Sequence, residues 1–395
     1  MSADASQPVL LDVSRLVWRT WTGVLPTGID RTALAYLRHF RHRALAVLQR
    51  RGHAHILSDQ LSSRLFDILL DGGPSARARL LRAIPSGLLS SRQVPPGTVY
   101  LNVGHTGLDK PGHAQWLERA RPRAIYFVHD LIPLTHPEYC RPGEPAKHER
   151  RIAAMLGHGA GIIGNSRDTI RELTAFAANR GGLSVPPSLV APLGIEMPSA
   201  PLDLDRPAPS ARPYFVMLGT IEGRKNHLLA LNAWVDMARR LGPACPQLVI
   251  IGRRGWECEQ AVDMLERSAA IRDHVIELPR CDDATLMAYM RGARALLFPS
   301  FVEGYGLPLV EALACGTPVI ASDLAVFHEL AGDIPDYLNP IDGLGWLRAV
   351  EDYARDESPR RKAQLARLAD WAPPTWEDHF ARVDAFLDDL SRKRE

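Results

Sequence analysis

The stretch 295–322 constrains the fold of this chain more than any other. Residues 295–298 form a short apolar run of the kind that makes a buried parallel strand. A Pro-Ser pair ends that run, and Leu307–Ala314 then carry helical spacing up to Gly316, a plausible helix stop. A second apolar run begins at Pro318. The order of strand, loop, helix and strand predicts an α/β fold with a parallel sheet.

Two glycines and two carboxylates mark the loop and helix of this stretch. Gly304 and Gly306 would let the backbone come close to a ligand, and a helix start suits a phosphate. Glu303 precedes the glycines, and Glu311 lies about one turn into the helix, where it could bind a ribose diol. One interpretation is therefore a sugar-nucleotide site with the transferred sugar near Glu303. The other is an ordinary strand–glycine–helix turn with solvated glutamates.

The run EGYGLP, with Glu303 and Glu311 eight positions apart, resembles the E-x7-E signature of the retaining glycosyltransferases of family 4. This resemblance implies the GT-B fold, with two Rossmann-like α/β domains facing a cleft. It also implies that Tyr305 and Leu307 belong to the substrate-binding loop together with Gly304 and its neighbours.

Two runs in the N-terminal half are similar to motifs of the same family. His129 follows the apolar run 124–128 and occupies the place of a histidine that lies beside the transferred sugar in the family. Gly28 begins a helix and resembles the glycine of the family's first loop, which lies against the diphosphate. The alternatives are a core histidine and a simple helix start capped by Thr27 or Asp30.

Two runs in the C-terminal half extend the resemblance. The run GTIEGRKNH is similar to the diphosphate-binding segment and places Arg224 and Lys225 among the catalytic residues. Many members carry arginine where this chain has Thr220, which leaves open a weakened diphosphate site. The resemblance also implies that Arg280 and Cys281 lie at the nucleobase, where backbone groups make the contact.

These motifs divide the chain into four predicted parts. An acceptor-side Rossmann-like domain spans 1–197, and a Pro-rich linker spans 198–213. A nucleotide-sugar-binding Rossmann-like domain spans 214–373, and a C-terminal helix over 374–395 returns to the N-terminal domain. Locally, residues 14–26 are expected to form a loop, and the helix that begins near Gly28 is expected to run toward Leu48.

Composition excludes several classes of protein. Hydrophobic residues make up 46% of the chain and charged residues 23%, values typical of a soluble globular protein. No apolar run approaches 18 residues, and the N-terminus lacks the features of a secretory signal, so a cytoplasmic protein is expected. The five cysteines include no C-x-x-C pair and indicate reduced thiols. The pair Asp203-x-Asp205 could hold a divalent metal, but it lies in the Pro-rich linker with no strand before it, so no metal site is expected there. No cofactor is expected either.

Charge is distributed unevenly. Residues 1–197 hold 24 Lys and Arg against 15 Asp and Glu, whereas the remaining residues are net acidic. A basic N-terminal half suits an anionic acceptor or peripheral contact with the inner membrane surface, or it simply reflects an Arg-rich composition. No basic motif is interleaved with aromatic residues, so nucleic acid is not an expected partner.

The predicted function is that of a retaining, metal-independent glycosyltransferase of bacterial polysaccharide or lipopolysaccharide biosynthesis. Its donor would be a nucleoside diphosphate sugar, and its acceptor a glycan or lipid-linked saccharide. GDP-mannose is the preferred donor because the runs HDLIPLTHPEY, DVSRL and PTGIDR resemble those of bacterial polysaccharide enzymes, many of which use it. Three alternatives stay open: a UDP-hexose-dependent transferase, a nucleotide-sugar epimerase of the same fold, and a non-catalytic sugar-nucleotide-binding partner.

Overall fold

The computed structural model describes residues 9–23, 27–50, 53–73, 75–87, 92–196 and 212–392. These residues form two compact units. Unit 1 contains the described parts of 1–134, 143–194 and 375–395. Unit 2 contains 135–142 and the described parts of 195–374. The segment 135–142 therefore clusters with unit 2, although it lies within the range predicted for the N-terminal domain.

The described strands are β1 (Val9–Asp12), β2 (Ala44–Arg50), β3 (His53–Ile56), β4 (Val99–Asn102), β5 (Arg123–Val128), β6 (Gly161–Gly164), β7 (Ser188–Val190), β8 (Tyr214–Leu218), β9 (Gln247–Ile251), β10 (Val275–Leu278), β11 (Leu296–Phe298), β12 (Val319–Ser322) and β13 (Asp336–Leu338). The described α-helices are α1 (Ser14–Thr22), α2 (Gly28–Phe40), α3 (Asp59–Asp71), α4 (Ala76–Gly87), α5 (Pro111–Ala120), α6 (Ile132–Thr135), α7 (Glu144–His158), α8 (Arg167–Asn179), α9 (His227–Leu241), α10 (Glu259–Arg267), α11 (Asp283–Gly292), α12 (Leu307–Ala314), α13 (Ala325–Ala331), α14 (Gly343–Ala354), α15 (Pro359–Leu368) and α16 (Trp376–Arg392).

Each unit is built on one sheet. The sheet of unit 1 has the order β3-β2-β1-β4-β5-β6-β7, and that of unit 2 has the order β10-β9-β8-β11-β12-β13. Strands β2 and β3 are antiparallel, and the other neighbouring strands described are parallel. The central strands are apolar and buried, as parallel sheets require when helices cover both faces. The predicted α/β class with two Rossmann-like domains is confirmed.

The C-terminal helix α16 packs on unit 1, as predicted. The ring of His379 bridges the Pro192 carbonyl at 2.9 Å and the Tyr36 hydroxyl at 3.0 Å. Phe380 packs edge-on against Tyr36, and Asp384 pairs with His39 at 2.9 Å. The last helix of the chain therefore completes the unit that contains its first strand.

Two local predictions in unit 1 were wrong. Residues 14–22 form helix α1 rather than a loop, and the helix ends at Gly23 in the left-handed region with φ +64°. The helix that begins at Gly28 stops at Phe40, and the expected continuation toward Leu48 is strand β2. Strand β2 pairs with both β1 and β3, so its conformation depends on long-range pairing that helical spacing does not reveal.

The predicted linker lies outside the described residues except for 212 and 213, and the Asp203-x-Asp205 pair lies wholly outside them. Within the described part of the chain, no helix combines the length and the apolar character that a membrane span requires. The five cysteines are all free.

Candidate functional site

Two loops of unit 2 meet at the carboxyl edge of its sheet. Strands β8 and β11 are neighbours, so the segments that follow them, 219–226 and 299–306, leave the sheet side by side. The Phe301 backbone N–H donates to the Arg224 carbonyl at 2.8 Å and joins the two loops directly. Ligands of open α/β sheets bind at such an edge, where adjacent loops diverge from the strands.

Charged side chains from both loops form one network. Arg224 donates from Nη1 to Oε2 of Glu303 at 2.8 Å, and Lys225 Nζ pairs with Oε1 of the same carboxylate. Arg224 also pairs through Nη2 with Glu222 at 2.7 Å. The Ser300 hydroxyl donates to Oε1 of Glu303 at 2.7 Å. The structure thus brings together three of the predicted catalytic residues, Glu303, Arg224 and Lys225.

The carboxylate of Glu303 and the ammonium group of Lys225 are largely shielded from solvent. Only 7% of the Glu303 side chain and 9% of the Lys225 side chain are exposed. Burial by itself would raise the pKa of Glu303, but Arg224 and Lys225 outweigh it and lower the pKa to about 2. Burial lowers the pKa of Lys225, against the opposing effect of the Glu303 carboxylate. Glu303 is therefore a fixed anion at neutral pH.

Backbone conformation fixes the two loops. Gly219 has φ +133° and Gly306 has φ +112°, values that favour glycine. A Cβ at Gly306 would lie only 2.8 Å from the ring of Phe327, so a larger residue would displace the loop. Asn226, in the left-handed region with φ +57°, donates from Nδ2 to the carbonyls of Pro299 and Pro340. The site loops are thus held by glycines and by one side-chain amide.

Helix α12 begins directly after Gly306 and ends at Ala314, the bounds that the sequence predicts. Leu307 is its first residue, and the predicted site residue Gly304 lies in the loop just before it. Glu311 lies half-buried in the second turn of the helix. The Tyr305 side chain is buried, so a ligand would meet its backbone rather than its ring.

Arg280 and Cys281 follow β10, at the edge of the sheet. Strand β9 separates β10 from β8, so these residues lie two strands away from the loop that carries Arg224. Arg280 is exposed and Cys281 is half-buried just before the cap of α11, where the Asp282 side chain accepts from the backbone N–H of Thr285. The structure does not place their side chains in the charged network described here.

His129 occupies the equivalent edge in unit 1. It follows β5 directly and is buried, and its Nε2 lies 2.8 Å from the carbonyl of Val103. Because a carbonyl only accepts, Nε2 must carry the proton, which leaves Nδ1 as an acceptor. Burial lowers the pKa of His129 to about 4, so the ring is neutral at pH 7. The neighbouring rings of His105 and His148 are also buried, and burial lowers their pKa values as well.

Gly28 is the first residue of α2 and is exposed. Thr27 and Asp30 form a capping box at this helix start, as the simple alternative in the sequence suggested. Asp30 is buried and pairs with Arg15 at 2.6 Å and with Arg19 at 3.0 Å. Two arginines from α1 therefore lie at this helix terminus, which the expectation of a loop over 14–26 did not foresee.

Known structures resemble the whole chain. HepE of Anabaena, crystallised with UDP and glucose, superposes with a TM-score of 0.64 at 15% identity, covering 97% of this chain and 100% of that one. Trehalose 6-phosphate synthase from Burkholderia multivorans superposes with a TM-score of 0.62 at 13% identity, covering 99% and 100%. At such identities the likeness concerns the fold alone.

The family model of group 1 glycosyl transferases matches residues 204–334, which include the entire Arg224–Glu303 network. The chain has the GT-B fold, and about a third of it matches the group 1 glycosyl transferase model. The serotype-specific mannosyltransferase WbdA of Escherichia coli is 28% identical over 260 residues, covering 60% of this chain and 31% of WbdA. The O-antigen chain mannosyltransferase B of Escherichia coli is 28% identical over 272 residues, covering 67% and 69%.

The family-model match and the shared fold confirm the predicted resemblance to GT-B glycosyltransferases. The match to WbdA spans about a third of the length of that protein.

Sequence reasoning missed two members of the network in the group 1 domain. Glu222 and Ser300 are both buried and bind Arg224 and Glu303, respectively. Ser300 could have been found because it lies two residues after a buried strand, where polar side chains meet ligands or each other. Glu222 carries no comparable signal. Its pairing with Arg224 depends on the conformation of the 223–225 turn between them.

Proposed function

We propose that this protein is a retaining, metal-independent hexosyltransferase. It moves a sugar from a nucleoside diphosphate sugar to a hydroxyl group of a glycan or lipid-linked acceptor. The observation that carries this proposal is the pairing of Arg224 and Lys225 with Glu303 on adjacent loops, beside the start of α12. Fixed cations at such a place can stabilise the negative charge that develops on a departing diphosphate.

Each residue of the network has a distinct role in this proposal. Lys225 and Arg224 bind the diphosphate, together with the backbone around Gly304 at the start of α12. An incoming diphosphate competes with Glu303 for the two cations, which releases the carboxylate to bind hydroxyl groups of the transferred sugar. Glu311 binds the ribose of the nucleotide.

The proton of the acceptor hydroxyl needs a base. A carboxylate whose pKa is about 2, such as Glu303, is a weak general base near neutral pH. His129 is neutral and hydrogen-bonded to a backbone carbonyl, which suits a group that contacts the sugar. We therefore assign the acceptor proton to the departing phosphate.

The preferred donor is GDP-mannose, and the proposed pathway is the synthesis of a cell-surface polysaccharide. Support comes from relatives named as mannosyltransferases, two of them for the O-antigen chain. A UDP-hexose is the alternative donor, because HepE was crystallised with UDP and glucose. In either case the nucleoside diphosphate sugar is a co-substrate.

A thermal-shift panel of GDP, UDP, ADP and their sugar conjugates tests the donor. We expect GDP and GDP-mannose to raise the melting temperature and the other nucleotides to have little effect. Saturation at 100 times Kd contributes about 2.7 kcal/mol to the free energy of unfolding. A shift with UDP forms alone would replace GDP-mannose by a UDP-hexose, and no shift with any nucleotide would contradict the proposed site.

Product analysis separates the remaining functions. A transferase consumes its sugar nucleotide faster when an acceptor saccharide is added and forms a glycoside. An epimerase would release an altered free sugar without an acceptor. A binding partner would bind the donor and leave it intact; the feature that favours this last case is Thr220, where many family members carry arginine.

We also propose that unit 1 contacts an anionic membrane surface through helices α1 and α4, which pack side by side. Trp18 is 58% exposed on α1, and Leu81 is 53% exposed on α4. Arg77 lies over the ring of Trp21, at 5.4 Å from its centroid, and Arg82 is exposed. Exposed aromatic side chains with arginines beside them suit the interface of a bilayer that carries anionic headgroups.

Co-sedimentation with vesicles of phosphatidylglycerol and phosphatidylcholine tests this surface. Burying one large apolar side chain contributes roughly 1.5–3 kcal/mol, so Trp18→Ser is expected to weaken binding about tenfold or more. The matched control is Leu344→Ser, which removes a side chain that is 66% exposed on unit 2. Equal binding of the Trp18→Ser protein and the wild type would exclude α1 as the contact.

A further inference from the structure

The segment 135–142 packs against the rest of unit 2 through aromatic side chains. Tyr139 stacks on Phe301 with ring centroids 5.6 Å apart and planes inclined by 7°. The Trp256 indole N–H donates to the Tyr139 carbonyl at 3.2 Å. The guanidinium of Arg141 lies over the Trp256 ring at 4.7 Å from its centroid. Two ring contacts and one hydrogen bond thus hold a segment that continues, in sequence, from the His129 loop.

The ring of Tyr139 contacts the two loops that carry the charged network. Phe301 precedes Glu303 by two residues, and its backbone N–H donates to the Arg224 carbonyl. The Tyr139 ring also lies beside Gly223, where a Cβ would be 3.6 Å from the ring and 3.0 Å from the Glu257 carbonyl. The ring of Tyr139 therefore contacts the Phe301 side chain on one loop and lies beside Gly223 on the other.

A side-chain amide of the 219–226 loop also ties it to the 299–306 loop and to Pro340. Asn226 donates to the carbonyls of Pro299 and Pro340, which anchors the base of the 299–306 loop. Among the described contacts, the ring of Phe301 meets an aromatic partner in Tyr139. Aromatic stacking has a preferred geometry, so it orients a loop as well as burying it.

We propose that Tyr139 is a positioning residue for the transfer reaction. Through its stack on Phe301, it holds the backbone of Arg224 and the carboxylate of Glu303 in the arrangement that binds the diphosphate and the sugar. This inference rests on the proposed function. Its physical basis is that small displacements of a catalytic group are costly, with about 1 Å able to cost roughly a hundredfold in rate.

Two substitutions of Tyr139 separate the effect of the stacked ring from that of the hydroxyl group. Tyr139→Ala removes the ring, whereas Tyr139→Phe keeps the ring and removes only the hydroxyl. With GDP-mannose and UDP-glucose as probes, release of the nucleoside diphosphate is measured at several donor concentrations. We expect Tyr139→Ala to lower kcat about tenfold or more with little change in KM, and Tyr139→Phe to restore most of the wild-type rate.

Hydrogen exchange followed by mass spectrometry supplies a readout that needs no activity. Tyr139→Ala is expected to speed exchange in peptides that cover 299–304, because the Phe301 amide loses its support. The matched control is Tyr337→Ala, which removes another half-buried tyrosine of unit 2 whose ring contacts a ring, that of His328, with centroids 3.9 Å apart. This control should leave both kcat and exchange at 299–304 unchanged.

The outcomes are distinct. Unchanged exchange at 299–304 in Tyr139→Ala, or faster exchange with a wild-type kcat, overturns the inference. A loss of kcat that Tyr139→Phe fails to restore also overturns it, because the ring would then not be the decisive feature. If the wild type neither binds nor turns over any sugar nucleotide, the proposed function fails, and exchange at 299–304 still decides whether Tyr139 orders the loops.

Discussion

Replacing Lys225 with methionine is expected to lower kcat about 10²–10³-fold, the loss seen when one preorganised donor to a developing negative charge is removed. The reason is that Lys225 is a buried cation whose Nζ is held between the Glu303 carboxylate and the ring of Phe298. Methionine keeps an unbranched side chain against that ring and removes the ammonium group with its hydrogen bond to Glu303. Steady-state release of GDP or UDP from the preferred donor is the measurement.

A matched control for this prediction is Lys362→Met. Lys362 is 62% exposed and pairs with Glu357 at the surface of the same unit, so its loss should change kcat and stability little. A Lys225→Met protein that kept more than a tenth of the wild-type kcat would show that the diphosphate is neutralised elsewhere.

Replacing Glu303 with glutamine is expected to lower both activity and stability. The amide cannot balance the charges of Arg224 and Lys225, and removing one partner of a buried ion pair typically costs about 3–5 kcal/mol. In the ligand-free protein the free energy of unfolding should therefore fall.

The free nucleoside diphosphate should bind to the Glu303→Gln protein at least as tightly as to the wild type, because the carboxylate no longer competes for the two cations. Turnover should fall strongly, since the amide replaces the group assigned to the sugar hydroxyls.

The stability of the Glu303 site also depends on pH. The pKa of Glu303 is about 2 in the folded protein, below its ordinary value of 4.5. Its stabilising effect is therefore complete above about pH 4.5 and is lost as pH falls toward 2. In urea unfolding, the free energy of unfolding of the wild type should exceed that of Glu303→Gln by an amount that decreases as the pH falls from 5 to 3. The control is Glu357→Gln, which changes a carboxylate that is 84% exposed. If the difference in the free energy of unfolding between Glu303→Gln and the wild type did not change with pH, the low pKa of Glu303 would be contradicted.

Much of the fold could be predicted where local pattern and tertiary structure agree. The bounds of α12 match the helical spacing of the sequence, and Gly316, with φ +75°, follows its end as expected. His129 lies directly after a buried parallel strand, as the run 124–128 indicates. In each case an apolar run bounded by glycine, proline or polar residues determines the element by itself.

Other elements could not be predicted because their partners are distant in the sequence. Strand β2 reads as a continuation of α2, and it becomes a strand because β1 and β3 pair with it on either side. The segment 135–142 lies in sequence between elements of unit 1, and its aromatic contacts with Phe301 and Trp256 place it in unit 2. No local signal marks such contacts.

The sequence by itself determined the α/β class and placed Glu303, Arg224 and Lys225 in segments that follow strands, and its family resemblance indicated two Rossmann-like domains. Apolar runs, glycines and motif spacing are local properties, and each is sufficient to place a residue at the end of its own strand. Only the tertiary structure decided that β8 and β11 are neighbours. That adjacency brings Glu222, Ser300 and the three predicted residues into one buried network, because side chains about 80 residues apart pair only when the strands that carry them are placed side by side.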